Sequence, residues 1–148
     1  MERHIFRIAK TLSLSILLAA FVVHAQSSQR INVRVPFDFV AAERALPAGE
    51  YTVTPAFSDH TMLIRSTDSK HALFVITIGV QAPETQKQPK LVFHRYGKHY
   101  FLSEVWTSST NMGSLLPKPA LERLLARDSK KPSQEIVIAG GGNRKDGE

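Results

Sequence analysis

The chain has 148 residues, no cysteine, 19 lysine and arginine against 13 aspartate and glutamate, and 43% hydrophobic residues. That is the length of one domain rather than two, with the balance of a folded protein rather than a disordered one. The missing cysteine excludes disulfide scaffolds, thiolate zinc sites, cysteine nucleophiles and a lipid carried on cysteine.

Residues 1–25 have the order of a signal peptide. Arg3, Arg7 and Lys10 form a positive start, and the 13 residues from Thr11 to Val23 are uncharged and mostly apolar. Val23-His24-Ala25 then offers small or modest side chains before Gln26, as a cleavage site requires. A membrane-spanning helix needs about 20 apolar residues. The expectation is therefore cleavage near Ala25, a periplasmic or secreted product, and no transmembrane segment in the mature chain. Loss of Arg3, Arg7, Lys10 and Glu2 takes the formal net charge from +6 to +4. The surplus is spread evenly, without the basic stripe of a nucleic-acid binder, so no nucleic-acid partner is expected. An exported chain without cysteine must be held by its core alone.

Gln26 to Gln29 reads as a polar lead-in to a single β-rich domain over residues 30–139. Ile31, Val33, Val35, Phe37 and Phe39 alternate with polar residues, which predicts a strand with one apolar face. Pro36 lacks a donor and marks an edge or an interruption. Leu46-Pro47-Ala48-Gly49 predicts a turn, and Tyr51, Val53 and Pro55 continue a second alternating strand. Met62 to Arg65 reads as a brief strand. His71 to Val80 is a longer apolar, β-branched run and predicts a central strand. Pro83 to Pro89 reads as a loop. Lys90 to Tyr96 and His99 to Thr107 flank Gly97-Lys98 and predict a hairpin.

Ser108 to Gly113 is loop-like. Pro119 opens a predicted helix over about 119–128, with Leu121, Leu124 and Leu125 on one stripe that is expected to dock on the domain. Glu135 to Ala139 predicts a last strand, and residues 140–148 a disordered tail. About seven to eight short strands with one short C-terminal helix predict a mainly β fold, a β-sandwich or small barrel.

Four histidines remain after residue 25: His60, His71, His94 and His99. With a two-residue turn at Gly97-Lys98, His94 and His99 share a face, about 7–8 Å apart at their backbones. They are candidate metal ligands, with Glu104 as a third only if the turn is one residue longer. Ser58-Asp59-His60 has the residue types of a hydrolase triad, but triad members are brought together by the fold rather than by adjacency. Met112-Gly113-Ser114 lacks the second glycine of a nucleophile elbow. No catalytic residue and no cofactor is assigned. Phe93, Tyr96, Tyr100, Phe101 and Trp106 crowd the hairpin, whose two faces are both partly apolar. Either the helix or a loop covers the second face, or Arg95, Tyr96, Tyr100 and Trp106 form an exposed ligand-binding platform.

Val35 to Phe39 (VPFDF), Leu46 to Val53 (LPAGEYTV), Lys90 to Gly97 (KLVFHRYG) and Tyr100 to Trp106 (YFLSEVW) together resemble small exported bacterial proteins of unknown function. The resemblance implies a signal peptide followed by one β-rich domain, and it transfers no activity or site residue. The leading expectation is an exported, non-catalytic β-domain that binds an envelope protein or polysaccharide, or has a structural role there. The alternative is an envelope hydrolase or metal-binding protein that uses His94, His99 and Glu104.

Overall fold

The computed structural model describes residues 30–128 and 134–142. The expected signal segment, the lead-in and residues 143–148 of the expected tail lie outside them. The first sheet holds β1 (Ile31–Val35), β4 (Gly49–Ala56), β5 (Ser58–Ser66), β6 (Ala72–Ile76) and the two-residue β12 (Gly141–Gly142), in the order β12-β1-β4-β5-β6. The second holds β7 (Ile78–Gln81), β8 (Lys90–Tyr96), β9 (His99–Trp106), β10 (Met112–Leu115) and β11 (Gln134–Ala139), in the order β11-β8-β9-β10-β7. The short hairpin of β2 (Phe39–Ala41) and β3 (Arg44–Leu46) attaches to β9 through Val40 and Phe101. One helix, α1 (Ala120–Asp128), follows β10.

Two open sheets, rather than one closed barrel, face each other across a shared core. Ile31, Val33 and Val35 meet Tyr51 and Val53 across the first sheet, and Ile64 and Val75 extend that layer. Phe39, Leu91, Phe93, Leu102 and Val105 supply the opposing layer. Period-two alternation does this work: each strand contributes every second side chain to the gap between the sheets. Phe39 and Phe93 meet edge to face at 5.4 Å, and Phe39 meets Tyr51 the same way at 5.3 Å. Among the described residues no helix is long and apolar enough to cross a membrane.

Several expected single elements are divided between the two sheets. The alternating run from Ile31 to Phe39 is interrupted at Pro36-Phe37-Asp38, so β1 and β2 belong to different sheets. Proline ends the ladder, and the Asp38 carboxylate accepts the amide of Ala48 at 2.8 Å, tying the outward corner to the return corner. The run from His71 to Val80 is not a central strand. It bends at Thr77, leaving β6 at the end of the first sheet and β7 at the end of the second. Gly140 is another such corner, where the chain passes from β11 to β12. A Cβ there would lie 2.5 Å from the Ile31 side chain, so glycine is required. The expected disordered tail therefore begins with two paired residues, because Gly141 and Gly142 oppose Asn32 and Ile31. β5 is longer than the brief strand expected, and β10 occupies part of an expected loop.

Candidate functional site: the hairpin and the free edge

The β8–β9 hairpin turns at Gly97-Lys98, with Gly97 at a φ of +60°. Tyr96 opposes His99 and His94 opposes Phe101, so the two histidines share a face as expected from a two-residue turn. The register then slips between Val92 and Phe93, which leaves Glu104 opposite Val92 and hence on the same face as His94. The bulge accomplishes what a longer turn would have done.

Those three side chains nevertheless form separate contacts. His94 Nδ1 donates to Glu122 Oε1 at 2.8 Å, and Glu122, on α1, is 1% exposed. Glu104 Oε2 accepts the indole N–H of Trp106 at 2.7 Å. The His99 ring lies against Phe101 with centroids 6.5 Å apart. Among the described residues, no group of three or more histidine, aspartate and glutamate side chains gathers to hold a metal ion. The expected ligand set of His94, His99 and Glu104 is not assembled: His94 is taken up by Glu122, Glu104 by the Trp106 indole, and His99 lies against Phe101.

The aromatic residues likewise do not form one exposed platform. Alternation sends Phe93 and Tyr100 inward, where Tyr100 stacks on Phe37 at 3.8 Å, while Tyr96, Phe101 and Trp106 point to the outer face. All three outer rings are buried. Lys90 Nζ lies over the Trp106 ring at 5.7 Å, and a Cβ on Gly113 would sit 2.6 Å from that ring. Glu122 reaches this outer face from α1, so the helix takes part in covering it. Arg95 is exposed, but its Nε donates to the Gly97 carbonyl at 2.8 Å and its guanidinium lies 5.4 Å from the Tyr100 ring.

A shallow cleft of about 420 Å³ lies elsewhere, beside Pro47, Glu50, Tyr51, Ser66, Asp68 and His71. Ser66 Oγ donates to Asp68 Oδ1 at 2.5 Å and accepts the His71 amide at 2.9 Å. The Lys70 amide also donates to Asp68, at 3.1 Å. This network closes the β5–β6 turn, and the link from Ser66 to residue 71 runs through the backbone rather than the imidazole. The serine hydroxyl and then the Lys70 amide hold the Asp68 carboxyl below the usual carboxylate range. Burial, with smaller contributions from Asp68 and Asp38, pushes the Tyr51 phenol above its ordinary value. That hydroxyl donates to the Pro47 carbonyl at 2.6 Å.

An apolar surface with no internal partner among the described residues lies at the end of the first sheet. Among the described residues β6 pairs with β5 alone. Ser66 N–H donates to the His71 carbonyl and Thr77 N–H to that of His60, each at 2.8 Å. With Leu73 opposite Ile64 and Val75 opposite Met62, the odd-numbered residues bond to β5. The amides and carbonyls of Ala72, Phe74 and Ile76 therefore point off the edge. Their side chains lie on the outer face, where Phe74 is 53% and Ile76 73% exposed. Phe57, in the bend between β4 and β5, is 92% exposed, and its ring is 5.2 Å from that of Phe74.

Phe57 also has a φ of +57°. A bulky residue pays steric strain in that region, of order 1–3 kcal/mol, and such strain concentrates at functional positions. Sequence reading missed Phe74 and Ile76 because apolar residues on both faces of a run signal full burial, and Phe57 because a single ring between Ala56 and Ser58 belongs to no periodic run. A buried strand and an exposed apolar edge have the same composition.

No known protein family, curated protein or solved structure matches the chain.

Proposed function

We propose that the chain is an exported binding or structural domain of the cell envelope, and that it works by accepting an extended polypeptide along the free edge of β6. The signal-like segment at residues 1–25 supports export. The observation that carries the binding role is the coincidence, at Phe74 and Ile76, of outward backbone groups and exposed apolar side chains. An added strand gains affinity from main-chain hydrogen bonds and selectivity from alternate side chains. A polysaccharide presents no matching ladder of amides and carbonyls, so the edge favours a polypeptide partner. Natural edge strands are usually blunted by lysine, proline or a bulge. Residues 71–81 contain no lysine, arginine, aspartate, glutamate or proline.

A photo-crosslinking amino acid placed at Ile76, in cells of a bacterial host exporting the protein, tests this reading. The matched control carries it at Thr54, a polar position on the same sheet. A discrete polypeptide adduct from position 76 and none from position 54 is expected. No adduct, or the same adducts from both positions, overturns the reading.

A further inference from the structure

We infer that the strand accepted at this edge is β6 of a second copy, paired antiparallel about Val75. The inference rests on the preceding reading that the β6 edge is a binding surface. The outward groups choose the register. Arg44 Nη1 lies 3.4 Å from the Ala72 carbonyl, which leaves Phe74 and Ile76 as the uncapped pair at the centre of the edge. Setting Val75 opposite its own counterpart places Phe74 of each copy opposite Ile76 of the other. The N–H and C=O of both residues then meet partners across the interface, as antiparallel pairing requires. The same register sets each aromatic ring beside a β-branched side chain on the outer face, a favourable cross-strand pair.

Charge points to the same occupant. A two-fold interface places a surface against itself, so any charge near its centre would face its own kind. The segment from His71 to Gln81 has no lysine, arginine, aspartate or glutamate to repel a second copy. The first sheet would continue from β6 of one chain into β6 of the other. Phe57 would flank the joined strip on each side.

Area sets the strength. Exposures of 53% for Phe74 and 73% for Ile76 leave roughly 200 Å² of apolar side chain per copy beside the edge. Two copies paired edge to edge would cover at most roughly 400 Å² of it, below a standard interface, so the main-chain bonds of the edge carry much of the association. The pair is therefore a weak dimer, with a dissociation constant on the order of tens of micromolar.

Sedimentation equilibrium of the exported protein tests this from about 1 to 200 μM, a span that brackets that range. The weight-average mass is expected to rise from that of one chain to that of two. Ile76→Lys, at an exposed position, should weaken association by about 100-fold, since two like charges would meet near the axis. Amide exchange on the unaltered protein keeps the test independent of that variant: the Phe74 and Ile76 amides should be slow at high concentration and fast at low. A monomer throughout, a dimer insensitive to Ile76→Lys, or a dimer with fast-exchanging Phe74 and Ile76 amides overturns the inference. If position 76 crosslinks only to a different polypeptide, this inference fails while the edge-binding reading stands. If it crosslinks to nothing, both fail.

Discussion

Asp68 shows how one side chain fixes a turn. Its carboxylate accepts from the Ser66 hydroxyl and from the Lys70 amide, and the β5–β6 reversal is built on those contacts. Because these donors favour the ionised form, the folded pKa lies below the unfolded one. The stabilisation is then complete above the ordinary carboxylate range and is lost as pH falls through the lowered folded value. Asp68→Asn should thus melt lower than the parent at neutral pH, and the gap should close on acidification. Paired melting curves from about pH 7 down to pH 2 check this; a constant gap would exclude the linkage. Gly113 illustrates a different constraint at the same scale. It has no special backbone angle, but the Trp106 ring occupies the space a Cβ would need.

Among the elements, α1 departs most from its amphipathic pattern. Its leucine stripe was expected to dock, yet Leu121 and Leu124 are 42% and 58% exposed, while Glu122 is buried. The hydrogen-bond partner decides the rotation: His94 projects from the outer face of β8, and Glu122 is the helix residue that reaches it. Breaking the pair from either side should therefore differ in cost. His94→Ala leaves a carboxylate buried without its partner and should cost about 2–3 kcal/mol, whereas Glu122→Ala leaves a part-exposed imidazole and should cost about 1 kcal/mol. A double-mutant cycle by chemical denaturation should return a coupling of about 1 kcal/mol; strict additivity would show that the contact does not hold the helix.

The β8–β9 hairpin was the element most legible in the sequence. Gly97-Lys98 gave both its turn and its initial register, because primed turns demand glycine-like backbone freedom. The slip between Val92 and Phe93 was not legible. No residue there marks a bulge, and the position of Glu104 depends on it. The β6–β7 run failed for a related reason. Thr77 is buried and its Oγ1 lacks a partner among the described residues, but nothing local announces a bend at a threonine inside a β-branched segment.

For the whole molecule, the corners matter more than the strands. At Pro36-Phe37-Asp38, Pro47-Ala48, Thr77 and Gly140 the chain changes sheet, and each change puts neighbouring sequence on opposite sides of the core. The bend at Thr77 carries the most apolar stretch of the domain along two sheet ends at once. Self-association there would add stability that depends on concentration, since binding to the folded state alone shifts unfolding by mass action. The melting temperature should rise with protein concentration for the parent and stay constant for Ile76→Lys. Differential scanning calorimetry over a hundredfold range of concentration distinguishes the two; equal slopes would argue against assembly through β6.

Composition and periodicity determined by themselves that the described chain is a β-rich domain with alternating apolar faces. Period-two patterning is a local property, and a strand retains it wherever it is placed. What only the tertiary structure decided is which strands are central and which are edges, which of two apolar faces is covered, and which polar groups meet. Those outcomes depend on pairing between residues distant in sequence. An apolar residue carries the same driving force toward burial whether its own chain covers it, as with Phe101, or leaves it exposed, as with Phe74.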